Sequence, residues 1–208
     1  MSEPAPSKPF IHLRLHTEFS ISDGLVTIPA LISRLQQLHM PAVAITDVSN
    51  LFGLIKFYSG AAKSGIKPIC GVDVLVENEE GVRSRIVLLV KNRTGYLNLT
   101  NIISKLYTDS ETHGEPVLAI DSFSGVLEGL IALSGAQHGD IGSALLGDDF
   151  EQAKSLLSKW QILFPDSFYL ELQRVGKADE EAYIERAVNL AIETQCPVAV
   201  SYTHLRAH

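Results

Sequence analysis

The segment Phe10-Ile11-His12-Leu13-Arg14-Leu15-His16-Thr17-Glu18-Phe19-Ser20 alternates polar and apolar residues. On a β-strand this alternation sends His12, Arg14 and His16 to one face and Ile11, Leu13 and Leu15 to the other. Two imidazoles side by side on a strand face suit a metal ion, and the hydroxyl and carboxylate just beyond, Thr17 and Glu18, could orient them. Arg14 stands between the two and cannot ligate, because its guanidinium stays protonated and offers no lone pair. One line of sequence therefore carries the pattern of a hydrolytic metal centre together with a residue that opposes it.

Outward from this segment, apolar β-rich runs alternate with 3.6-period segments. Runs at 10–16, 42–46, 67–76, 85–90, 129–133, 167–173 and 197–201 predict about seven strands, one short of the usual eight-stranded barrel. Helices are expected over 27–39, 52–63, 94–107, 139–146, 149–163 and 179–194. Pro29 lies in the opening turn of the first, and Asp179, Glu180 and Glu181 in that of the last, where they oppose the positive end of the helix dipole. The stripe Ala182, Ile184, Ala187, Val188 and Ala191 is expected to pack inward while the acidic start faces solvent. Residues 108–129 mix charges, Gly, Pro and Ser without a steady period and read as a loop with a short helix.

A chain of 208 residues with 46% apolar content can bury one sizeable core. The formal net charge of -7 argues against a surface that grips nucleic acid by itself. Cys70 and Cys196 lack CxxC spacing and are expected to be buried reduced thiols. No apolar run approaches the ~20 residues of a membrane span. The opening residues 1–9 are polar and proline-rich, unlike a signal peptide, so a cytoplasmic location without a membrane partner is expected.

Polar residues gather where an α/β barrel places its chemistry, at the carboxyl ends of strands: His16-Thr17-Glu18, Thr46-Asp47, and Asp73 within or near the end of the third. Each alone is ordinary, since a strand-end Asp commonly caps a turn and a single His is usually just hydrogen-bonded. Their joint placement is what outlines a site.

The ordered segments His12-Leu-Arg-Leu-His16-Thr-Glu-Phe-Ser20-Ile-Ser-Asp-Gly24, Ala44-Ile-Thr-Asp47-Val-Ser-Asn-Leu-Phe-Gly53, Lys67-Pro-Ile-Cys-Gly71-Val-Asp73 and Asn92-Arg-Thr-Gly-Tyr96-Leu-Asn-Leu99 resemble one family. Gly129-Leu-Ile-Ala-Leu-Ser-Gly135, Tyr169-Leu-Glu-Leu-Gln173 and Cys196-Pro-Val-Ala-Val200 follow in the same order. The family is the PHP (polymerase and histidinol phosphatase) domain that opens the alpha subunit of bacterial DNA polymerase III. The resemblance implies an α/β fold, a distorted (β/α)7 barrel of PHP type over residues 10–200, with the Mg2+-dependent polymerase modules downstream of it. Through that parent it implies DNA, the sliding clamp and other replisome subunits as partners.

Metal-binding members of the family carry His at the positions of Arg14, Val48 and Arg85, and Glu at that of Asp73. The resemblance therefore implies a vestigial pocket formed by His12, Arg14, His16, Asp47, Val48, Asp73 and Arg85. It is expected to have no catalytic residue and to hold no metal or other cofactor, with Arg14 paired to Asp47 or Asp73. This pattern of loss marks the branch that recruits a separate proofreading exonuclease subunit, and a non-catalytic scaffold that docks this subunit is the implied role. The alternative is a working metal-dependent phosphoesterase or 3'-5' exonuclease. A stand-alone histidinol-phosphatase-like enzyme is disfavoured by the polymerase-like segments at 45–53 and 92–96. Residues 1–9 are expected to be a disordered tail. Residues 201–208 leave the family pattern, resemble a translated sequencing adapter and are set aside as non-native, so His204 and His208 carry no weight.

Overall fold

The computed structural model describes residues 10–21, 24–108, 115–123, 125 and 127–201. The tail at 1–9 and residues 202–208 lie outside them. Strands β1 (Ala42–Ile45), β2 (Lys67–Glu77), β3 (Arg83–Val90), β5 (Leu130–Leu133), β6 (Phe168–Gln173) and β7 (Val198–Ser201) form one curled sheet in the order β1-β2-β3-β5-β6-β7. The short β4 (Val117–Ala119) lies beside the second half of β2. Only β3 runs against its neighbours; the other pairings are parallel. The β2–β3 hairpin is turned by Asn78, whose side chain accepts from the N–H of Glu80 and Val82, and by Gly81 at φ +76°.

Helices α1 (Ile28–Gln37), α2 (Leu54–Lys63), α3 (Arg93–Thr108), α4 (Asp140–Leu146), α5 (Phe150–Leu163) and α6 (Glu180–Thr194) cover the outer face. All six expected helices are present within one or two residues of their predicted ends, and Pro29 occupies the first turn of α1. The alternation of the strands divides the core into layers. Val43 and Ile45 of β1 point outward onto Ile28, Leu31 and Leu35 of α1 and Leu54, Phe57 and Ala61 of α2. Inside the curl, Ala44, Val87, Leu89, Leu133 and Ala199 close a second cluster. Each fully buried large side chain contributes about 1.5–3 kcal/mol. Among the described residues no helix is long and apolar enough to cross a membrane.

Four expectations need correction. The segment 10–16 forms a single isolated bridge, His12 to Val43, rather than a strand. Ala44 N donates to His12 O and Thr46 N to Leu15 O, so two acceptors three residues apart face two donors two residues apart. One extra residue is accommodated between them, as in a bulge, and the Leu15 N–H turns to the Thr46 hydroxyl at 3.0 Å. A one-residue slip reverses facing. Accordingly Leu13 packs in the interior cluster and Leu15 in the outer one, not together.

The second correction is β4, which arises inside the expected loop 108–129, followed by a 3-10 turn, Ile120–Phe123. Third, the buried face of α6 is Tyr183, Ala187, Leu190 and Ala191, whereas Ala182 is exposed. The large ring of Tyr183 takes the inward position, and the stripe turns by one residue. Glu180 at the acidic start is buried and accepts from the N–H of Val175, Gly176 and Lys177 at 2.6–2.8 Å. Fourth, of the two free thiols Cys196 is buried and Cys70 only half-buried. Strand β7 also ends at Ser201, one residue into the stretch 201–208 that the sequence sets aside.

Candidate functional site

The extra residue near Leu13 lets Arg14 turn inward, and the whole site is built around it. Arg14 is 3% exposed. Its Nε and Nη2 donate to Asp73 Oδ2 at 3.0 and 2.6 Å, and its Nη1 donates to Glu171 Oε2 at 3.0 Å. Both carboxylates are fully buried. Asp73 lies in the interior of the eleven-residue β2, not at its end, where it also meets His16 Nε2 at 2.9 Å and Arg85 Nη1 at 3.4 Å. Arg85, on β3, reaches Glu115 with its other terminal nitrogen at 2.7 Å.

Burial alone would raise the carboxyl of Asp73, but Arg14, His16 and Arg85 outweigh it and hold the group well below the usual carboxylate range. Burial likewise works against the charge on Arg14, and Asp73 with Glu171 more than restores it.

Glu171 is the centre's second acid and was not picked out from sequence. It sits on β6 two residues before Gln173, which donates to its Oε1 at 3.0 Å. The Ser201 hydroxyl donates to the same oxygen, and the Tyr183 hydroxyl donates to the backbone oxygen of Glu171 at 2.6 Å. The alternation Tyr169-Leu-Glu171-Leu-Gln173 was the available signal: two polar side chains on the inner face of an otherwise apolar strand.

Asp47 belongs to a different knot. It accepts from Thr17 N at 2.6 Å, from the Thr17 hydroxyl and from Ser20 Oγ at 2.7 Å, while Ser20 Oγ in turn accepts from Val48 N at 3.1 Å. Its carboxylate fastens the 3-10 turn Glu18–Ser20. Of the two expected partners of Arg14, the structure pairs it with Asp73 and gives Asp47 to Thr17 and Ser20. His12 is buried, and its ring meets that of Phe10 edge-on with centroids 4.9 Å apart.

A cavity of about 680 Å³ opens over the cluster, with Arg14, His16, Val48, Arg85, His138 and Lys177 on its wall. His12, Asp47 and Asp73 do not line it. His138 and Lys177 are additions that sequence reasoning missed, brought in by the loops after β5 and β6. Lys177 Nζ lies 3.2 Å from His138 Nε2, and burial, then the Lys177 charge, lowers the His138 pKa. Among the described residues, no three His, Cys, Asp or Glu side chains are grouped so as to hold one metal ion.

The low pKa of Asp73 sets an acid limit. A carboxyl depressed on folding contributes stability that is complete above its unfolded pKa of about 4 and is lost as pH falls towards the folded value. Melting temperature should therefore drop steeply below about pH 4. The slope should be shallower in Asp73→Asn, measured by circular dichroism across the same pH series. Equal slopes would remove Asp73 as the titrating group.

A family model, PHP domain, matches residues 12–175. The chain is 44% identical over 194 residues to the DNA polymerase III subunit alpha of Pseudomonas aeruginosa, covering 92% of this chain and 16% of that protein. It is 42% identical over 203 residues to that of Vibrio cholerae and 40% to that of Escherichia coli K12, each match covering 97% of this chain and 17% of the relative. The chain thus spans about a sixth of the length of these curated relatives.

Two solved structures share the fold. One is a presumptive metal-dependent phosphoesterase from Bifidobacterium adolescentis, with TM-score 0.62 at 13% identity, covering 96% of this chain and 87% of that one. The other is an amidohydrolase from Chromobacterium violaceum with bound sulfate and no metal, with TM-score 0.60 at 16% identity, covering 93% and 86%.

Proposed function

The chain belongs to the PHP domain family, and from that premise we propose that it is the opening domain of a replicative DNA polymerase alpha subunit, acting as a scaffold and not as a hydrolase. In this reading the parent is a cytoplasmic, Mg2+-dependent DNA polymerase. The domain supports the polymerase modules of its own chain and docks a proofreading exonuclease subunit, while DNA and the sliding clamp are met through the parent.

The observation that carries the reading is the buried guanidinium of Arg14 between Asp73 and Glu171. A metal centre of the family's kind does not fit these residues. Arg14 and His16 already engage Asp73 Oδ2, a second cation would sit beside a fixed positive charge, and Val48 brings no donor. The vestigial pocket is held by ion pairs where an active one would be held by metal.

The test is elemental analysis of the dialysed protein, with DNA trimming assayed on full-length subunits carrying wild-type His16 or His16→Ala. Less than one zinc or manganese per chain and no trimming that depends on His16 are expected. More than one tightly held metal per chain, or a trimming activity abolished by His16→Ala with folding and exonuclease binding intact, would replace the scaffold with a metal-dependent phosphoesterase or 3'-5' exonuclease.

A further inference from the structure

A second cavity opens at the end of the barrel opposite the mouth over Arg14. It is framed by a close approach of backbone. Lys91 N donates to Gly129 O at 2.8 Å, and a Cβ on Gly95 would stand 1.9 Å from that same oxygen, so the turn before β5 lies directly on the start of α3. Between this junction and the last turn of α5 about 700 Å³ is left open. Phe123 and Phe164 are buried beneath it, and Leu127 and Leu163 are partly buried on its walls. Ile162, also on the wall, is 79% exposed.

The charge at this end runs against that of the chain, whose formal net is -7. Lys91 lines the cavity and Arg93 begins α3 two residues on. Lys67 opens β2 while Lys91 follows the end of β3, so the antiparallel pairing puts both at the same end, and Lys63 closes α2 just before Lys67. All four are exposed. Elsewhere the exposed Arg83, Lys154 and Arg174 each hold an acid. Among the described residues these four cations are in no ion pair, and neither Glu128 on the cavity wall nor the neighbouring Asp166 engages them.

We infer that this end of the barrel docks an acidic linear peptide of another polypeptide, whose apolar side chains enter the cavity while flanking Asp or Glu residues meet Lys91, Arg93, Lys67 and Lys63. Charge complementarity selects an acidic partner, since unpaired cations steer and orient one at little desolvation cost. The cavity selects a peptide over nucleic acid. A phosphate backbone would use the cations but leave the apolar walls wet, and the Phe123 and Phe164 rings are too deeply buried to stack with a base. An apolar anchor uses both features, displacing water from Leu127, Ile162 and Leu163. The site lies away from the cluster around Arg14, and the inference stands on the geometry of this end of the barrel whatever the parent does.

Random dodecapeptides displayed on phage are selected on the 208-residue chain, and the enriched sequences are synthesised with a fluorophore for anisotropy titration. Enriched peptides are expected to carry apolar residues flanked by Asp or Glu and to bind more weakly as salt is added. Binding should fall at least about tenfold in the double variant Lys91→Glu with Arg93→Glu, and likewise in Ile162→Asp. The milder pair Lys91→Gln with Arg93→Gln should lie between, and circular dichroism melting confirms that each variant is folded. The inference is overturned by selection of no peptide, by enriched peptides without acidic residues, or by equal binding to all variants. A single-stranded oligonucleotide that displaces the peptides and itself needs Lys91 and Arg93 would put nucleic acid there instead. Peptides that bind the 208-residue chain but not the full-length subunit would show the face covered by the parent's own modules, which also overturns it.

Discussion

Replacing Arg14 by Met is expected to lower the unfolding free energy by about 3–5 kcal/mol, the cost of leaving buried charge uncompensated. Arg14 is the guanidinium common to Asp73 and Glu171, and both acids are fully buried. Removing it leaves Asp73 with His16 and the partly buried Arg85 at 3.4 Å, and leaves Glu171 with the neutral donors Gln173 and Ser201. The variant's Asp73 should then take up a proton at higher pH than in the wild type, so the loss of stability on acidification should begin earlier.

Arg14→Lys should retain only part of the stability. One ammonium cannot reproduce a fork that reaches Asp73 with two nitrogens and Glu171 with a third. Urea unfolding at neutral pH, with the m-value checked for constancy, measures all three proteins. A triple change, Arg14→Met with Asp73→Leu and Glu171→Gln, should recover much of the loss, because an apolar filling can replace a buried ion cluster without large cost. Neutral behaviour of Arg14→Met alone would mean that the acids do not need it.

The second large effect is Leu170→Asp, expected to leave the domain mostly unfolded at room temperature. Leu170 is 0% exposed on the outward face of β6, in the cluster that contains Trp160, Phe164 and Tyr183, and its N–H bonds Pro197 O at 3.0 Å. A carboxylate there has no partner, and its burial costs several kcal/mol, comparable to the whole stability of about 5–15 kcal/mol for a domain. Ile162→Asp is the matched control: Ile162 is 79% exposed on α5, and the change should cost within about 0.5 kcal/mol. Circular dichroism melting of the two variants makes the comparison. Under the scaffold reading, Leu170→Asp in the full-length subunit should also reduce polymerase activity and exonuclease binding together, since both depend on the first domain being folded. A cooperative melt for Leu170→Asp near that of the wild type would show that β6 faces the other way.

His16→Ala illustrates how geometry changes an expected size. From sequence alone the loss amounts to local packing, about 1 kcal/mol. With its Nε2 2.9 Å from the Asp73 carboxylate, the ring makes a hydrogen bond to a charged group, and about 1.5–3 kcal/mol is the better figure.

The sequence by itself determined the elements that depend on local period. The six helices follow from 3.6-residue spacing, the cap-side Pro29 and the breaks between runs, all of which act within a turn or two of chain. It also identified Arg14 as the residue at odds with a metal face, because the chemistry of a guanidinium does not depend on where the fold places it.

Tertiary structure alone decided the rest. That Arg14 meets Asp73 and Glu171 joins residues 59 and 157 positions apart, a match set by strand order and not by spacing. The extra residue between His12 and Leu15, which turns Arg14 and Leu13 inward and Leu15 out, comes from fitting this segment to β1 and from the Thr46 hydroxyl that takes the displaced N–H. Asp47 went to Thr17 and Ser20 because their donors lie within reach of the β1 end, and Ala182 yielded the inner position to the larger Tyr183. Period fixes which way a residue points only while the backbone stays regular. Once pairing across the fold inserts a residue, partners are chosen by distance in space and by the cost of leaving a buried charge alone.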